Sequence, residues 1–217
     1  MMISPESYVE IELRGKSREN ALKKVKGLRK EINHLKRVIE DNPYKDEYEV
    51  DPSPEVQISV LQDYLMAAKA YFESQKWEYE PSKKEIKIKE FNESLEYLES
   101  IEFFYGGYFG TNKSWKIFFD GDKVMVDSIV RLIPDYDMNK LKLPCFDDLA
   151  KEEFLTELRD LQIGEWKREY YNPDILDGTQ WSVELQYSDG KKKHFSGSNM
   201  FPYNFKEFLK VMRMDHE

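Results

Sequence analysis

DGTQWSVELQYSDGKKKHFSGSNMFPYNFKEFLKVM, running from Asp177 to Met212, is the densest run of local structural instruction in the chain. Trp181, Val183, Leu185 and Tyr187 alternate with Ser182, Glu184 and Gln186, the period-2 pattern of a strand with one buried face. A second strand, Lys191 to Ser196, pairs with it through Ser188-Asp189-Gly190. A two-residue Asp-Gly loop would set Phe195 opposite Glu184 and turn its ring away from the apolar face. A three-residue loop with Gly190 left-handed sets Phe195 opposite Val183, so burial favours the bulged turn. Lys191, Lys192 and Lys193 open the second strand. Protection of an exposed sheet edge is the simpler account of them, and an anion-binding patch is the functional alternative. Gly197-Ser198-Asn199 forms a turn cluster. A helix then opens at Pro202, Tyr203 or Asn204 and carries Phe205, Phe208, Leu209 and Met212 on one stripe.

Asp177-Gly178, Trp181, Asp189-Gly190, Gly197, Asn199, Pro202, Phe205 and Leu209 together resemble the C-terminal signature of a group of uncharacterised bacterial proteins. The resemblance covers about a sixth of the chain. It implies a bacterial source and no mechanism, because no activity is attached to the group.

Composition sets the outer limits. A chain of 217 residues that is 40% hydrophobic and 14% aromatic can bury a core, which argues against disorder. The formal charge of −9 disfavours nucleic-acid binding by phosphate neutralisation and suits a soluble protein or one with a basic partner. The single cysteine, Cys145, excludes an internal disulfide and fits a reducing compartment. The N-terminus shows no basic segment followed by an apolar one, and no run approaches membrane-spanning length. A cytoplasmic protein without membrane association is the expectation.

Along the chain, Tyr8 to Leu13 alternates and reads as a strand ended by Gly15. Ser17 caps a long helix to about Glu40, whose Ala21, Val25, Leu28, Ile32, Leu35 and Ile39 form a heptad-like seam. Packing of that seam on the protein's own sheet or second helix is favoured over a homodimer. Asp41 to Pro54 reads as a loop, and Ser53-Pro54-Glu55 starts a second helix reaching about Gln75, with Val56, Val60, Tyr64, Ala67, Ala68 and Tyr71 inward. Ser82 and Glu85 make a capping box for a third, which Ile88, Phe91, Leu95, Leu98 and Ile101 carry toward Gly106-Gly107. Tyr108-Phe109 ends a short strand. Trp115, Ile117 and Phe119 face inward on the next, and Asp120-Gly121 makes a two-residue type I′ hairpin that pairs Ile117 with Val124. Asp147 or Asp148 caps a helix that holds Phe154, Leu155 and Leu158 and is ended by Gly164. Trp166 to Tyr171 is then a strand.

These elements predict an α+β fold. Antiparallel meanders carry helices on one face, after a helical N-terminal third. The division is residues 1–80, an N-terminal strand and helical hairpin, and residues 81–217, an α+β domain with two β meanders, unless the whole is one continuous domain. Residues 82–128 and 147–196 share one order of helix, strand, Trp-led strand, Asp-Gly turn and strand, which raises a duplicated αβββ unit.

Chemistry is harder to find. His34, His194 and His216 lie far apart in sequence, so no zinc-ligand spacing exists, and neither a metal nor a cofactor is expected. Cys145 precedes a proposed helix start, but Leu143-Pro144-Cys145-Phe146 reads as a packed apolar segment. Gly106-Gly107-Tyr108-Phe109-Gly110 lacks the Lys-Ser/Thr of a P-loop. The remaining candidates for binding are Tyr170, Tyr171, Asp174 and Asp177 before the central strand and Asn199 after the hairpin, because loops on a rigid sheet carry function. The bland account makes Asp177-Gly178 a turn, Tyr170 core and Asn199 a bend. The expected function is a non-catalytic protein-binding or regulatory module of immunity-like kind, engaging a protein partner through an acidic, tyrosine-bearing surface. The alternatives are a hydrolase-type enzyme with a carboxylate and tyrosine site, and a structural homo-oligomer joined through the first long helix.

Overall fold

The computed structural model describes residues 3–43, 51–107, 112–131, 144–147, 149–175 and 177–214. The expectations at Tyr108-Phe109, Asp148 and His216 lie outside these. Among the described residues no helix is long and apolar enough to cross a membrane. The chain divides into two compact units, Met1–Pro81 and Ser82–Glu217.

The first unit holds α1 (Pro5–Glu12), α2 (Arg18–Glu40) and α3 (Pro54–Ser74). The strand expected at Tyr8–Leu13 is helical instead. Ser4 caps α1 by accepting a hydrogen bond from the Ser7 amide at 3.2 Å, Pro5 occupies the first turn and Glu6 favours the helix dipole. The alternation of Val9, Ile11 and Leu13 is coincidental, since Leu13 is buried while Ile11 is 62% exposed. Tyr8 points inward and stacks on Tyr64 with ring centroids 4.6 Å apart. The Tyr64 hydroxyl donates to the Ile3 carbonyl at 2.8 Å and accepts from the Ile3 amide at 3.0 Å.

Ser17 caps α2 as expected, and Ala21, Val25, Leu28, Ile32 and Leu35 are buried. Much of this seam shares one core with Tyr64, Ala68 and Phe72 of α3, so the second helix of the same unit fills it. The buried line of α3 runs through Ile58, Tyr64, Ala68 and Phe72, which leaves Val56 49% exposed.

Burial, with Glu12 and Tyr64 adding their charges, pushes the Tyr8 phenol up to about 12. An unfolded tyrosine ionises near about 10. The folded state therefore keeps a proton that the unfolded state releases, and the associated stability is lost as pH rises through that interval. The melting temperature of the full chain, followed by circular dichroism, is expected to fall more steeply from about pH 10 to 12 than that of Tyr8→Phe. Equal slopes would contradict this.

The second unit contains α4 (Lys83–Ser94), β1 (Leu98–Gly107), β2 (Asn112–Asp120), β3 (Lys123–Arg131), α5 (Lys151–Asp160), β4 (Glu169–Tyr171), β5 (Thr179–Tyr187), β6 (Lys192–Ser198) and α6 (Phe205–Val211). The capping box at Ser82 and Glu85 forms, with both hydrogen bonds present. α4 stops at Ser94 instead of continuing to Gly106. Leu98, Ile101 and Phe103 are buried as members of β1, because the aromatic and β-branched run Ile101 to Tyr105 fills the centre of the sheet.

The six strands are ordered β3-β2-β1-β5-β6-β4. All neighbours are antiparallel except β4 and β6, which run parallel through Tyr170 opposite Gly197. β1, β2 and β3 pair as the expected meander. The second set does not, because β4 passes β5 and pairs beyond it on β6. The shared element order therefore does not extend to strand pairing among the described residues.

The central hairpin has the bulged form. Val183 lies opposite Phe195, Gly190 has φ +79°, and the Gly190 amide donates to the Tyr187 carbonyl at 2.9 Å. The β2–β3 hairpin has slipped two residues from its expected register. Asp120 pairs with Lys123, Phe119 with Val124 and Ile117 with Val126. Gly121 has φ +60° while Asp122 stays at negative φ, so the loop is Gly121-Asp122 in type II′ form. A two-residue slip keeps every side chain on its own face, so burial alone does not distinguish the registers.

Ile101, Phe103, Trp115, Ile117, Trp181, Val183, Leu185 and Phe195 meet Phe91 of α4, Phe154, Leu155 and Leu158 of α5, and Phe205 and Phe208 of α6 in one core. α5 begins at Lys151 without an aspartate cap. Ala150 is held extended by its bridge to Lys123, and the Lys151 amide donates to the Asp122 carbonyl at 2.8 Å.

Candidate functional site

β4 is only three residues long and covers β6 from Ser196 to Ser198. The side of β6 from Lys192 to Phe195 that faces away from β5 therefore opens into a recess of about 550 Å³. α4 contributes Lys87, Glu90 and Phe91 to it, the segment leading into β4 contributes Trp166 and Arg168, and β4 itself contributes Glu169. The floor is fixed. Phe91, Trp166 and Phe195 are buried, and the Trp166 indole donates to Asn204 Oδ1 at 2.9 Å.

The recess is locally cationic on an acidic protein. Lys87, Arg168 and Lys193 outnumber Glu90 and Glu169 by one, with Lys192 at the rim paired to Glu184, whereas the chain as a whole carries −9. Lys193 Nζ lies 4.8 Å from the centre of the Phe91 ring, and burial lowers its pKa while Glu90 opposes that shift. Lys192 Nζ donates to Glu184 Oε1 at 2.6 Å, which raises the lysine's pKa. Cations held beside low-dielectric walls concentrate anionic groups of a ligand.

His194 projects from the other face of the sheet, in a cross-strand row with Glu184, Glu102 and Lys116. Glu102 and Glu184 stand directly opposite each other and repel. Lys116 pairs with Glu102 at 3.2 Å and Lys192 with Glu184 at 2.6 Å, so this row is a balanced ionic strip.

The residues expected to bind separate into two layers. Tyr170 is 3% exposed; its ring lies beside Trp181 and its hydroxyl accepts from the Lys167 amide at 3.1 Å. Asn199 is fully buried at φ +57° and donates from Nδ2 to the Ile175 carbonyl at 3.1 Å. Both are scaffold. Tyr171, 64% exposed, and Asp174 and Asp177 lie on the surface above them. Asp174 is held by its amide donating to Asn172 Oδ1 at 3.0 Å.

Cys145 is exposed and its thiol donates to Asp147 Oδ2 at 3.0 Å. His34 lies exposed on α2. Among the described residues no group of three or more His, Cys, Asp or Glu side chains is placed to hold a metal ion. The lysine triplet was the visible trace of the recess. Lys87 and Arg168 carried no such signal, because they reach it from elements remote in sequence.

The fold and the recess define an α+β protein with a six-stranded, mostly antiparallel sheet and a cation-lined groove at the edge of one strand. No protein-family model matches the chain, and neither a curated protein nor a solved structure matches it.

Proposed function

We propose that this chain is a non-catalytic protein-binding module of regulatory or immunity-like kind, which receives an acidic segment of a partner protein in the recess beside β6. The observation that supports it is the group of cations Lys87, Arg168 and Lys193 lining the recess on a chain of charge −9. The Lys87, Arg168 and Lys193 head groups around an apolar floor of Phe91, Trp166 and Phe195 complement carboxylates interleaved with apolar side chains. The acidic remainder of the surface repels such a segment elsewhere and steers it to this place. A single exposed cysteine suits a reducing bacterial cytoplasm as the place of action.

Fluorescence anisotropy of a labelled peptide of four Glu-Val repeats tests the reading. The peptide is expected to bind the full chain, and Lys193→Glu and Lys87→Glu are each expected to weaken it by roughly fivefold to tenfold, an effect that shrinks with added salt. Circular dichroism of each variant checks that the fold is kept. Equal binding of a Lys-Val peptide, or affinity unmoved by both charge reversals, would overturn the assignment.

A further inference from the structure

The backbone of β6 carries a directional signal that its side chains do not. In an antiparallel pair, residues alternate between those whose N–H and C=O face the partner strand and those whose groups face away. The Tyr187 amide donates to the Lys191 carbonyl at 3.0 Å and the Asn199 amide to the Thr179 carbonyl at 2.9 Å, so odd-numbered residues of this segment face β5. The Ser196 amide donates to the Arg168 carbonyl at 3.0 Å and the Asn172 amide to the Ser198 carbonyl at 3.1 Å, so even-numbered residues face the β4 side. Lys192 and His194 therefore aim their amides and carbonyls into the recess. Among the described residues no strand pairs with them there.

We infer that the partner segment docks by strand addition, forming main-chain hydrogen bonds to Lys192 and His194 on the line that β4 occupies further along β6. This rests on the reading above and specifies how the same recess recognises its ligand. An unpaired edge is a template for any extended chain, and edge lysines commonly guard against self-association. Here they also select. A second copy of this protein would bring Lys191, Lys192 and Lys193 against their own equivalents, whereas an extended acidic segment meets them with opposite charge. The open stretch from Lys192 to Phe195 is four residues, or about 13 Å of strand, which suits a short linear motif more than a folded domain.

Two N-methylated forms of the Glu-Val peptide distinguish docking by strand addition from docking by charge alone. One carries the methyl groups on every glutamate nitrogen and the other on every valine nitrogen, so charge and side chains are unchanged. Only one set of nitrogens can face β6. In strand addition one isomer is expected to lose at least about tenfold in affinity for the full chain while the other stays near the parent. Parental affinity in both isomers, or equal loss in both, would overturn strand addition and leave the acidic-ligand reading intact. Failure of the unmethylated peptide to bind would instead remove the earlier reading, and this inference with it.

Discussion

Replacing Gly197 with alanine is expected to lower the stability of the chain by roughly 3 kcal/mol, the combined scale of overpacking a core and straining a buried hydrogen bond. A methyl group at this position would collide with Nε1 and Cε2 of the Trp181 indole and lie 2.6 Å from the Met200 carbonyl oxygen. The indole cannot yield. Its Nε1 donates to that same Met200 carbonyl at 2.8 Å, and its ring centroid is 4.8 Å from that of Phe205 and 5.8 Å from that of Tyr170. Gly190→Ala is the control, because nothing lies within 4 Å of its added methyl group and only its φ of +79° is strained. That variant is expected to lose about 1 kcal/mol. Urea denaturation midpoints read the difference, and equal losses would refute the packing described around Trp181. Trp181 stands opposite Gly197 in the β5–β6 pairing, and Asn199 follows at the end of β6. In this fold they tie the β5–β6 hairpin to the loops at its open end, which is a structural task.

Asn204→Ala is expected to cost a similar amount, about 3 kcal/mol, for a different reason. Asn204 stands at the N-cap of α6, yet it makes no side-chain cap there. Its Oδ1 accepts from the Trp166 indole at 2.9 Å, and its Nδ2 donates to the Leu161 carbonyl. Truncation leaves a buried donor and a buried acceptor without partners, each worth roughly 1 to 3 kcal/mol. Asn204→Asp retains the acceptor for Trp166 but loses the donor to Leu161 and buries a carboxyl group, so it is expected to be no better than alanine at neutral pH. Stability equal to that of the unsubstituted chain in either variant would show that this junction does not hold α5, Trp166 and α6 together. Since Trp166 also forms the floor of the recess, peptide affinity is expected to fall alongside.

The elements most legible in the sequence were those with two independent local signals. The α2 start combined Ser17 with a seam at 4 and 3 spacing, and the β5–β6 turn combined a glycine with the burial of Phe195 against Val183. Where one signal stood alone, a competing one prevailed. Alternation at Val9, Ile11 and Leu13 yielded to the Ser4-Pro5-Glu6 helix start, and the helical spacing of Leu95, Leu98 and Ile101 yielded to a central strand position. The β2–β3 register was ambiguous because a slip of two residues conserves the buried face. The parallel pairing of β4 on β6 was hidden, since strand order is set by tertiary contacts among segments that each look like ordinary strands.

The site was less legible for the same reason. Tyr170 and Asn199 drew attention as loop aromatics and amides, yet burial makes them scaffold. Lys191 to Lys193 were visible as an edge motif. Their partners in the recess, Lys87 on α4 and Arg168 before β4, depend on how short β4 turns out to be.

Residue-resolved amide hydrogen exchange of the full chain, with and without the Glu-Val peptide at saturation, tests the central claim most directly. Lys192 and His194 face the recess and are expected to gain protection on binding, while Lys193, which faces β5, changes little. Unchanged exchange at Lys192 and His194 in the saturated complex would contradict the account.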